Sequence, residues 1–105
     1  MTLNPNTARI IGKPALALSG LTIPNYDNVH DIKAARPAGC VGALITVELA
    51  SGSVRVNVTG QDPRGGNGHV IAPGSRITLE HPDEVDKFRV ALENGTSATL
   101  IVTYF

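Results

Sequence analysis

The run "GALITVELASGSVRVNV", residues 42–58, decides how this chain folds. Ala43, Ile45, Val47 and Leu49 fall at every second position, with Thr46 and Glu48 between them. Val54, Val56 and Val58 then alternate with Arg55, Asn57 and Thr59. A period of two places successive side chains on opposite faces of a strand, so each run reads as a strand with one buried face. Ser51-Gly52-Ser53 lies between the runs and reads as a hairpin turn that pairs them.

The same rhythm extends outward. Ile77 and Leu79 alternate with Arg76, Thr78 and Glu80, and Phe88, Val90 and Leu92 alternate with Arg89 and Glu93. A short strand is expected over His69 to Ala72, Asn94-Gly95 marks a turn, and "SATLIVTYF" (residues 97–105) is a further β-rich run. Upstream, Ile10-Ile11 and Ala15 to Leu18 suggest short strands, interrupted by Pro5, Pro14, Pro24 and Pro37. Proline donates no ladder hydrogen bond, which confines such strands to edges. Eleven glycines and seven prolines break any helical stripe, and only "HPDEVDKF" (residues 81–88) admits a turn of helix, with Pro82 in its first turn and Asp83 and Glu84 near its positive end.

Seven or eight short strands imply an all-β fold, a small antiparallel β-sandwich or jelly roll with a less regular N-terminal arm. The expected division is an arm with edge strands over 1–36 and a β-sandwich core over 37–105, in one domain. At 105 residues with four aromatics and no Trp, the core must be built from Val, Ile, Leu and Ala. A domain of this size has a small margin of stability, and self-association is a natural supplement.

Nine basic and nine acidic side chains balance to zero formal charge, with no basic run to neutralise a row of phosphates, so nucleic acid is not an expected partner. No stretch is long enough to span a bilayer, and the opening residues lack the continuous apolar run of a signal peptide, so a cytosolic site of synthesis without membrane contact is expected. On that expectation the sequons Asn57-Val58-Thr59 and Asn94-Gly95-Thr96 occur by chance. Cys40 is the only cysteine and reads as a small buried side chain.

"TGQDPRGGNGHVIAPG", residues 59–74, is the stretch that most resembles a ligand loop. It lacks the Lys and the Ser or Thr that a phosphate loop places after its glycines, and it lacks the carboxylates of calcium-binding loops. His30, His69 and His81 are scattered without metal-ligand spacing, so no metal and no other cofactor is expected. Ser75 or Cys40 with His69 and Asp62 can be drawn as a triad, but geometry rather than presence defines one. Asp83, Glu84 and Asp86 lie beside Lys87 and Arg89 and read as a solvated loop, not a catalytic pair. No catalytic residue is therefore assigned and no enzymatic activity is expected. The long loop is read instead as a protein-contact element, with Asp62, Arg64, Asn67 and His69 as its candidate contact residues.

The ordering of "PAGCVGALITVE", Val54-Arg55, Asp62-Pro63, Gly68-His69, Pro73-Gly74 with "RITLE", Phe88-Arg89 and "SATLIVTYF" resembles a group of small β-sandwich virion proteins encoded among the head genes of tailed bacteriophages and prophages. The resemblance spans residues 37 to 105. It implies a structural component that decorates or cements the capsid, carries no catalytic residues, and binds the major capsid protein and itself, as a homodimer or homotrimer. Its place would be the capsid surface of the virion, assembled in the host cytoplasm. The alternative is a glycan- or receptor-binding β module of a phage tail or fibre, and a third reading is a small jelly-roll enzyme. Tyr26, Phe88, Tyr104 and Phe105 are too dispersed to form the aromatic platform that sugar binding favours.

Overall fold

The alternation over residues 43–47 becomes a strand whose Ala43, Ile45 and Val47 are buried while Leu44 and Thr46 are half-buried on the other face. The structure, a computed structural model, describes residues 9–10, 13–49 and 51–105. Its elements in chain order are β1 (Arg9–Ile10), β2 (Lys13–Pro14), β3 (Ala17–Ile23), β4 (Ala43–Val47), β5 (Val54–Asn57), β6 (His69–Ile71), β7 (Arg76–Leu79), α1 (Pro82–Lys87), β8 (Arg89–Leu92) and β9 (Ala98–Tyr104). A 3-10 turn covers Lys33–Ala35.

Two antiparallel sheets carry the fold, one ordered β3-β9-β4-β7 and the other β6-β5-β8. Among the described residues β1 and β2 pair only with each other. Ile45, Leu100 and Val102 from the first sheet and Val54, Val56 and Val90 from the second belong to one buried cluster between them. The arrangement is a sandwich; the two ladders do not join into a closed barrel. Burial of this apolar surface is the main force holding the sheets together.

Tyr104 is the largest buried side chain, and its hydroxyl donates to the Ile32 carbonyl at 2.8 Å. That bond fastens the segment after β3 to the core. Burial, then the nearby Cys40 and Asp31, raises the phenol's pKa above its ordinary value. Helix α1 starts as its sequence suggests: Pro82 opens it, and the Glu84 carboxylate turns back to accept from the backbone N–H groups of Glu80 (2.8 Å) and His81 (3.1 Å). Asp86 pairs with Arg36 at 2.9 Å, so the acidic group sits on this helix and not on a loop.

The expected hairpin at Ser51-Gly52-Ser53 does not form. β4 pairs with β7 and β9, whereas β5 pairs with β6 and β8, so the chain crosses from one sheet to the other between Val47 and Val54. A second crossing, at residues 93–97, joins β8 to β9 and stacks on the first. Gly52 N–H donates to Ser97 O at 2.8 Å, Glu93 N–H to Ser53 O at 2.9 Å, and Glu48 N–H to Thr99 O at 2.9 Å. A Cβ on Gly52 would lie 2.1 Å from Asn94 O, so only glycine lets the crossings approach this closely.

Two further strand assignments change. β4 ends at Val47 as the crossing begins, so Leu49 is 83% exposed instead of sharing the buried face. β5 ends at Asn57, and Val58 turns outward. Upstream, the expected short strand near Ala15 to Leu18 is the seven-residue β3, paired along its whole length with β9. Ile10 lies in β1, while Ile11 falls outside the described residues.

Candidate functional site

The loop from Val58 to Gly68 leaves β5 and returns as β6. Its stems are tied by one side chain. The Asn57 carbonyl oxygen accepts from Thr59 N–H at 2.7 Å and Thr59 Oγ1–H at 2.6 Å, while its amide donates across the stem to Asn67 O. Asn57, the first residue of a sequon, thus makes three side-chain hydrogen bonds.

Gly68 brings the returning strand close to β5. A Cβ there would meet Val56 O at 2.4 Å and the Pro63 ring at 2.8 Å. Arg55 reinforces this end: its guanidinium donates to Gly68 O at 2.9 Å and, bidentate, to both carboxylate oxygens of Glu93 at 3.0 and 2.9 Å. Arg55 pairs with Ala91 in the β5–β8 ladder, and Ala91 is buried.

Midway, Asp62 and Arg64 bracket the buried Pro63. The Asp62 carboxylate accepts from the Arg64 backbone N–H at 2.9 Å, and the guanidinium returns to it at 2.7 Å through Nη2 and 3.0 Å through Nε. Arg64 also donates to the carbonyls of Asp27 (2.9 Å) and Tyr26 (3.3 Å), bridging the loop to the segment after β3. Its side-chain hydrogen bonds hold the Asp62 carboxyl below the usual carboxylate range, and Arg55 does the same for Glu93.

The four residues singled out in the sequence therefore divide. Asp62 and Arg64 brace the loop, while Asn67 and His69 border a shallow cleft of about 290 Å³ between Asn57–Thr59 and Gly66–His69. No Asp, Glu, Lys or Arg lines that cleft. Hydrogen-bond capacity there comes from the His69 imidazole, the Asn67 amide and the glycine backbone. What sequence reasoning missed is the reach of Arg64 to two carbonyls 37 and 38 residues away, which no local pattern signals.

The remaining chemical candidates are dispersed. Cys40 is buried and donates to Gly42 O at 3.1 Å, and Asp62 is occupied by Arg64. Among the described residues neither forms a hydrogen bond with His69. His81 precedes α1, and His30 makes a two-way backbone bridge to Val90, with N···O distances of 2.8 and 2.9 Å. Among the described residues no three His, Cys, Asp or Glu side chains gather as a metal site, and no helix is long and apolar enough to cross a membrane. Of the four aromatics, Phe88, Tyr104 and Phe105 are buried and Tyr26 is exposed.

The fold and this loop define an all-β, two-sheet antiparallel protein with a braced loop beside a neutral cleft. Compared with known proteins, the chain matches no family, no curated protein and no solved structure.

Proposed function

We propose that the chain is a structural component of a tailed-phage virion that decorates or cements the capsid by binding major capsid subunits, without catalysis. One observation carries this reading. The loop from Val58 to Gly68 is exposed along most of its length, yet Asn57, Arg55 and Arg64 hold it in one shape. A surface loop braced before contact loses little freedom on binding, which suits a protein partner. The resemblance over residues 37 to 105 supplies the partner: the major capsid protein at the outer surface of the head.

Sedimenting purified capsids with added protein tests the proposal. Saturable co-pelleting at hundreds of copies per particle is expected, and protein that stays in the supernatant throughout the micromolar range refutes it. The cleft at Asn67 and His69 favours a second reading, a glycan- or receptor-binding module of a tail or fibre. A positive glycan array together with a few or tens of copies per particle would select that reading instead.

A further inference from the structure

A sandwich with two open sheets has four edges, and three of them here are short, charged or covered. β6 is three residues long. β7 is four residues long, begins with exposed Arg76 and has α1 alongside. The outer side of β8 is met by the backbone bridge from His30. β3 differs on every count. It runs for seven residues without a charged side chain or a proline. Among the described residues, no hydrogen bond reaches it beyond its ladder with β9. Proteins generally guard such an edge, since its unpaired N–H and C=O groups are a template for another strand.

Gly20, at the centre of β3, adds a second observation. Its pairing with Ile101 is in regular register, so it marks no bulge. Among the described residues a Cβ there would meet nothing within 4 Å, so their packing does not demand glycine. Glycine inside a strand weakens it and often marks the close approach of another backbone.

We infer that the free edge of β3 is a self-pairing seam, at which a second copy of this chain adds its own β3 antiparallel about Gly20, joining two four-stranded sheets into one of eight. In that two-fold register Gly20 faces its own equivalent. Leu18 lies opposite Thr22 of the second copy, Ser19 opposite Leu21, and Ala17 opposite Ile23. No pair sets like charges together, and Pro24 falls beyond the end of the ladder. The two Leu18 side chains lie diagonally across the glycine pair, on the face that also carries Ile101. The other edges offer no comparable surface, so pairing is isologous and closes as a dimer instead of growing into a fibre. The inference deepens the self-association expected of a decoration protein and rests on that reading for its purpose only, since it is tested on the isolated protein without capsids.

The register makes the test specific. Leu18→Lys with Thr22→Lys sets two Lys–Lys pairs across the seam, whereas Leu18→Lys with Thr22→Glu sets two Lys–Glu pairs. Both double variants change the same two exposed positions, and circular dichroism confirms that each is folded. In sedimentation velocity at micromolar concentration the unaltered protein and the Lys/Glu variant are expected as dimers. The Lys/Lys variant is expected to dissociate with a constant roughly tenfold or more above that of the Lys/Glu variant. A monomeric unaltered protein overturns the inference, as does equal weakening of both variants, which would mean contact through the leucine face, or no weakening of either. Capsid co-pelleting is scored separately, so loss of the seam and loss of the decoration reading give different results.

Discussion

The loop from Val58 to Gly68 and the strand β3 both lie at the surface, yet they use their hydrogen-bonding groups in opposite ways. The loop turns inward on itself: Asn57 closes its stems, Arg55 holds its returning end, and Arg64 binds Asp62 and two distant carbonyls. β3 satisfies one side through β9, and among the described residues nothing bonds to its other side. The contrast teaches that a Gly- and Asn-rich composition marks where a chain bends, whereas open bonding capacity marks where it can recruit a partner.

Replacing a glycine in each region should break the symmetry between them most sharply. Gly68→Ala forces a Cβ against Val56 O at 2.4 Å and should cost about 2 kcal/mol of stability or more. In the dissociated single chain, at submicromolar concentration, Gly20→Ala meets open space among the described residues and should be neutral or stabilise the fold by about 0.5 kcal/mol, because glycine carries the larger entropy cost in a strand. Urea unfolding of the two variants measures the difference, and equal costs would remove the claimed distinction.

A smaller effect is expected from Arg64→Ala. The Arg64–Asp62 pair is solvent-exposed, so the melting temperature should move little, while amide exchange from Gly60 to Asn67 accelerates. Acid should reproduce this partly. Asp62 has a folded pKa lowered by its Arg64 hydrogen bonds, so its contribution is complete above the ordinary carboxylate value and is lost as pH falls through the lowered one. Protection factors in the loop, corrected for the intrinsic exchange rate, should therefore fall below about pH 4 in the unaltered protein. In Asp62→Asn, that acid-dependent loss of protection should be reduced.

How far these regions were legible beforehand follows from the range of the interactions that build them. Alternation at Ala43, Ile45 and Val47 and at Val54 and Val56 identified buried strand faces, because period two is a local property. The same composition could not separate a hairpin from a crossing at Ser51-Gly52-Ser53, since the deciding contacts come from Asn94, Ser97 and Thr99. At the loop, Asp62 and Arg64 stood out in the sequence, but the pairing of Arg64 with Asp27 O did not. β3 was read as shorter than it is because Pro14 and Gly20 interrupt its apolar pattern, while its ladder is fixed by β9 at the far end of the fold.

Hydrogen exchange read by mass spectrometry at submicromolar and at high micromolar protein tests the central contrast directly. Amides of Ala17–Ile23 should gain protection as concentration rises, while those from Val58 to Gly68 exchange at the same rate throughout. Protection that appears in the loop, or β3 amides that ignore concentration, would contradict the account.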